Sequence, residues 1–113
     1  MKVLFWNARG VGISHRRNLI AKHVFQEDLD IIAIQETIKQ DFSDKDLKEM
    51  NGNKIFTWHW IPARGHSGGL ATSVNSELLE IEQTKFLQFS LWILIRNRLT
   101  NFRYRQCLWP CTA

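Results

Sequence analysis

Two short runs of apolar, β-forming residues, Val3-Leu4-Phe5-Trp6 and Ile31-Ile32-Ala33-Ile34, restrict the fold of this chain more than any other feature. Both are too short for helices and both stop at polar residues, so each reads as a buried strand. Asn7-Ala8-Arg9-Gly10-Val11-Gly12 follows the first run, and its glycines predict a loop. Ser14 then offers an N-cap, and Leu19, Ile20, His23 and Val24 recur at helical spacing. Arg16, Arg17 and Lys22 occupy the other positions, giving an amphipathic helix of about three turns with the arginines on its wet face. A strand–helix–strand order of this kind pairs its strands in parallel through a right-handed crossover.

The remaining chain is richer in strands. Asp41 or Ser43 caps a short polar helix through Asp46, Leu47 and Met50, which Asn51-Gly52-Asn53 ends. Ile55 to Ile61 reads as a third strand stopped by Pro62, and Leu70 to Val74 as a fourth after the turn Arg64-Gly65-His66-Ser67-Gly68-Gly69. Asn75-Ser76 turns the chain into Leu78 to Thr84, and Trp92–Ile95 with Phe102–Tyr104 forms a hairpin around Leu99-Thr100-Asn101. The fold class is therefore α/β with a mixed sheet.

At 113 residues the chain is one small domain at most. No apolar run approaches the roughly 20 residues of a membrane-spanning helix. The first residues turn polar too soon for a signal peptide. Cys107 and Cys111 both lie near the end and supply neither a disulfide framework nor a zinc-ligand set. An intracellular, reduced chain is expected, with the nucleus as one destination and no secretion. The net charge of +4 hides a strong segregation. Residues 1–26 carry +5, residues 27–50 carry −5, and residues 84–113 carry +5 with no acid. Such basic segments suit a phosphate-bearing partner, although a solvated surface gives the same pattern.

Chemistry is most readily placed where the first two strands end. Asn7 follows one and Glu36 the other, so in parallel neighbours both emerge at the same sheet edge, where open α/β sheets hold ligands. A carboxylate beside an amide suits Mg²⁺, which takes one or two carboxylates and keeps several waters. On spacing alone a turn-forming Asn7 and a solvated Glu36 explain the same residues. Trp58 and Trp60 alternate on one strand and read as core or as base-stacking residues. His59 and His66 have no second ligand at metal-binding spacing and read as a strand side chain and a turn residue.

Trp6-Asn7-Ala8-Arg9-Gly10, Asp30-Ile31-Ile32-Ala33-Ile34-Gln35-Glu36-Thr37 and His66-Ser67-Gly68-Gly69-Leu70-Ala71 resemble successive motifs of the endonuclease/exonuclease/phosphatase superfamily. The variant is most similar to the endonuclease domain of plant LINE-type (non-LTR) retrotransposon proteins, itself similar to apurinic/apyrimidinic endonucleases. The resemblance covers residues 1–105. It implies the N-terminal part of a four-layered α/β sandwich, in which this chain supplies mainly one of two packed sheets. It also implies a Mg²⁺-dependent phosphodiesterase acting on DNA. Glu36 aligns with the metal-binding glutamate, and Asn7 with the catalytic asparagine that orients the attacking group. Arg9 replaces an aspartate that helps some relatives bind metal. Arg9, Arg16 and Arg17 are candidate nucleic-acid contacts. Gly68 and Gly69 allow close backbone packing.

The later elements implied by the resemblance, an Asp-x-Asn pair and a Ser-Asp-His, are not in these 113 residues, so the chain alone is expected to be inactive. Residues 106–113 read as an aberrant tail. Their back-translation, read one nucleotide later, permits Ser-Val-Tyr-Gly-Pro-Ala, similar to the family's tyrosine motif, which points to a frameshift. Two alternatives are a non-catalytic basic module that binds nucleic acid and an unstable pseudogene product. Oligomeric state leaves no trace in the sequence.

Overall fold

A computed structural model describes residues 2–65, 68–87 and 90–108, with the side chains of 106–108 left aside. The expected turn residues His66 and Ser67, and tail residues 109–113 with Cys111, lie outside the described residues. The elements run β1 (Val3–Asn7), α1 (Ser14–Glu27), β2 (Ile31–Gln35), α2 (Asp44–Asn51), β3 (Phe56–Ile61), β4 (Leu70–Asn75), β5 (Leu79–Phe86), β6 (Leu91–Asn97) and β7 (Arg103–Leu108). No helix among them is long and apolar enough to cross a membrane.

Four strands form a mixed sheet in the order β1-β2-β4-β3. β1 and β2 are parallel, as the crossover through α1 requires, in the register Val3 to Ile31 through Asn7 to Gln35. β4 lies antiparallel between β2 and β3. The chain also contributes to a second sheet, β5-β6-β7, all antiparallel, which corrects the expectation that it supplies mainly one. A bulge between Ile81 and Gln83 breaks the register of β5. The proposed tail boundary at residue 105 falls inside β7, whose backbone pairing with β6 continues to Leu108.

Alternation along the strands of the first sheet builds two cores. Ile32, Ile34, Ala71, Phe56 and Trp58 face the helices and pack on Ile20, Val24 and Met50. Ile31, Ala33, Leu70 and Val74 face the second sheet and pack on Leu79, Leu91, Ile93 and Ile95. The resulting order is helices, sheet, sheet. Trp58 and Trp60 belong to the helix-side core: the Trp58 Nε1–H donates to the Asn51 Oδ1 at 2.7 Å, and Trp60 meets the edge of Phe42. Val3 and Phe5 share the inner face with their partners Ile31 and Ala33, yet Phe5 remains 66% exposed.

The helix ends follow their local chemistry, with one departure. Ser43 caps α2 through a reciprocal box with Asp46, and Gly52 ends it at φ +63°. A Cβ on Gly52 would lie 2.9 Å from the Ala21 carbonyl oxygen, so glycine is needed for the close approach of α2 to α1. Ser14 is the first helical residue of α1 and not its cap. Ile13 stands there in extended conformation without a side-chain cap, and its carbonyl accepts the Arg16 and Arg17 N–H groups.

Arg17 corrects the sequence reading further. It is only 8% exposed, with Nε donating to the Glu49 Oε2 at 2.7 Å, Nη1 donating to the Val11 carbonyl at 2.9 Å, and Asp46 3.6 Å from Nη2. Its guanidinium joins α1 to α2 and does not lie on the wet face expected for it.

Candidate functional site at the carboxyl edge of the parallel strands

The parallel register sets Asn7 beside Gln35 at the ends of β1 and β2, and Glu36 is the next residue. Asn7 and Glu36 therefore occupy the same sheet edge, and both are exposed. No hydrogen bond or ion pair holds the Asn7 amide or the Glu36 carboxylate to another described residue.

Glu36 leaves the strand in a left-handed conformation, φ +53°, as do Ile38 (+53°) and Arg9 (+51°) across from it. Each such residue costs about 1 kcal/mol or more and persists only where its surroundings over-determine it. Here both flanks do so. From the β1 side, the N–H groups of Ala8, Gly10 and Val11 donate to the carbonyls of Gln35, Glu36 and Thr37 at 3.0, 2.7 and 2.9 Å. From the β4 side, the Gly69 and Gly68 carbonyls accept the N–H groups of Thr37 and Ile38 at 3.1 and 2.9 Å. Gly69 has φ +89°, and a Cβ there would lie 2.2 Å from Thr37 Oγ1. Thr37 is fully buried, and its hydroxyl has no hydrogen-bond partner among the described residues. Gly69 thus has the packing role expected of it, whereas a Cβ on Gly68 would meet open space and only its backbone conformation, φ +78°, favours glycine.

Arg9 is exposed beside this edge. Arg16, the second candidate phosphate contact, is half-buried and turned inward. Its Nη1 donates to the carbonyls of Ala8 (3.2 Å) and Gly10 (3.1 Å), and to that of Arg9 between them. Nothing in the sequence signals this contact beyond an arginine in the first turn of a helix, an unfavourable place for a cation unless something offsets the dipole. Thr37 was likewise missed, since it reads as an ordinary strand-end residue.

Exposed carboxylate and amide oxygens are the donors a hard cation takes. No group of three His, Cys, Asp or Glu side chains suited to a metal occurs among the described residues. The donor set therefore fits Mg²⁺ with most of its ligands supplied by water, and does not fit an all-protein cage. His59, on β3, lies away from this edge. Its Nδ1 is buried with no hydrogen-bond partner among the described residues, and burial pushes its pKa below the ordinary histidine value.

Solved structures share this frame. The chain is similar to an AP endonuclease from Archaeoglobus fulgidus at 15% identity and TM-score 0.61, covering 86% of this chain and 40% of that one. It is similar to the 3′ phosphatase NExo from Neisseria, bound to a product DNA hairpin, at 18% identity and TM-score 0.60 (93% and 40% covered). TDP2 from D. rerio, in complex with a single-strand DNA product, aligns at 9% identity and TM-score 0.65 (93% and 43% covered). This chain thus spans less than half the length of these three. No curated protein sequence matches it. Residues 4–107 match the Endonuclease/Exonuclease/phosphatase family. Because that match takes in both helices and nearly the whole length of the strands, the chain belongs to the Endonuclease/Exonuclease/phosphatase family.

Proposed function

We propose that this chain is the cation-holding part of a Mg²⁺-dependent DNA endonuclease domain derived from a plant LINE-type retrotransposon. The observation that carries the reading is the shared edge of Asn7 and Glu36 in a chain of this family. Glu36 holds the metal, and Asn7 donates and accepts hydrogen bonds that orient the phosphate or the attacking water. When bound, Mg²⁺ neutralises charge on the scissile phosphate. Arg9, exposed and adjacent, contacts the phosphate backbone. DNA in two of the solved relatives supports a DNA partner, and a chromosomal DNA substrate would call for a nuclear location. The motif order Trp-Asn-x-Arg-Gly, Gln-Glu-Thr and Ser-Gly-Gly supports retroelement origin.

Cleavage also needs groups to activate water and to stabilise the leaving oxygen, and the Asn7–Glu36 edge offers neither. The 113-residue chain is therefore expected to leave supercoiled plasmid and abasic duplex DNA uncut in Mg²⁺. Cleavage that Glu36→Ala abolishes would overturn the inactivity and leave the metal role standing. Salt-dependent DNA binding that survives Glu36→Ala and is lost on Arg9→Ala would favour the non-catalytic basic module instead.

A further inference from the structure

We infer that Arg16 is a positioning residue for the Asn7–Glu36 edge: its guanidinium gathers three successive loop carbonyls and so fixes the turn from which Glu36 projects. Three backbone oxygens converging on one point repel each other unless a cation lies among them. Arg16 Nη1 lies within hydrogen-bonding distance of the carbonyls of Ala8, Arg9 and Gly10. The loop it gathers is strained, with Arg9 at φ +51° and Gly10 at φ +105°. The same loop donates the Gly10 N–H to the Glu36 carbonyl at 2.7 Å, the shortest backbone link between the two sides of the edge. A continuous path therefore runs from the Arg16 guanidinium through the Gly10 peptide to the left-handed Glu36 backbone. The helix contributes as well. Arg16 sits in the first turn of α1, which has no acidic residue and no side-chain cap, so the dipole there disfavours a cation. The three carbonyls offset that cost, which identifies their attraction as the reason an arginine is tolerated at this position.

The link from Arg16 to metal affinity rests on the reading that Glu36 holds a divalent cation; the link from Arg16 to the loop does not. Both are measurable on the whole 113-residue chain by NMR. Arg16→Met keeps the aliphatic stem and removes the cation; Arg16→Lys keeps a cation with a different donor geometry. In Arg16→Met the Gly10 amide should exchange about tenfold faster than in the unaltered chain, matching the loss of charge-assisted hydrogen bonds to the loop. Ile32 and Ile34 amides should exchange at unaltered rates, and Arg16→Lys should fall between. Mn²⁺, added as a paramagnetic probe, should broaden the Asn7 and Glu36 amides of the unaltered chain and require a several-fold higher concentration in Arg16→Met. Unchanged Gly10 exchange, or equal acceleration of Gly10 and the core amides, would overturn the positioning role. Selective Gly10 acceleration with no Mn²⁺ broadening at Glu36 in the unaltered chain would uphold the brace and refute the metal reading.

Discussion

At the scale of single residues, the glycine that meets Thr37 sets the tolerance of the site. Gly69 combines a left-handed backbone with a neighbour that leaves no room for a Cβ, and the Ala63 side chain stands 3.2 Å from the same point. Gly69→Ala should therefore destabilise the chain by about 3 kcal/mol or more, the sum of backbone strain and overpacking. A urea melt checks this, and a loss below about 0.5 kcal/mol, the range of surface substitutions, would contradict the packing account. His59 supplies a second test. Burial lowers its folded pKa below 6.5, so the unfolded chain binds more protons between those two values. Stability should fall as pH drops from 7 through that window, and His59→Gln should flatten the dependence. Melts at pH 7 and pH 5 measure it, and an equal pH dependence in the variant would count against the burial of His59.

At the scale of elements, Arg17 ties α1 to α2 and to the loop that follows β1. Removing it strands Glu49 and the Val11 carbonyl and leaves Asp46 to Lys39 and the Ser43 N–H. Arg17→Met should cost about 2–4 kcal/mol, since a broken partly buried pair leaves uncompensated groups behind. Burial works to raise the Asp46 carboxyl. Hydrogen bonding and charge from Lys39, the Ser43 N–H and Arg17 outweigh it and hold the pKa below the usual aspartate value. Its contribution is present above pH 4 and lost as pH falls through the folded value. If Arg17→Met melts like the unaltered chain while its DNA affinity falls, Arg17 is a phosphate contact after all.

The elements themselves were largely legible. β1, α1 and β2 follow from two apolar runs around a 3.6-residue repeat, and Ser43 and Gly52 bracket α2 by ordinary cap chemistry. The shared edge of Asn7 and Glu36 followed from parallel pairing alone. Arg16 and Arg17 were not legible as braces. An arginine beside an amphipathic stripe reads as solvated, and only the folded loop shows carbonyls within its reach. Ser14 misled for a related reason: the residue before it, Ile13, takes the extended conformation that a cap requires.

At the scale of the whole molecule, the charge segregation is partly consumed internally. Basic Arg17 pairs with the acidic segment through Glu49 and Asp46, and Lys54 pairs with Asp28 and Asp30. Arg9, Lys85 and Arg105 have no ion-pair partner among the described residues. Among the described residues β1 is one edge strand of the first sheet, and it carries exposed Val3 and Phe5. Unpaired backbone beside apolar side chains invites edge-to-edge association. Phe5→Lys should raise the concentration at which the chain stays monomeric in sedimentation, while changing stability by no more than about 0.5 kcal/mol. Unchanged association would move the sticky surface elsewhere.

The proposed cation site of Glu36 and Asn7 is open to a Mg²⁺ titration of the ¹⁵N-labelled chain. The largest amide shifts should fall on residues 7–10 and 36–38 and disappear in Glu36→Gln. Shifts confined to the acidic residues before and within α2, unchanged in Glu36→Gln, would contradict it.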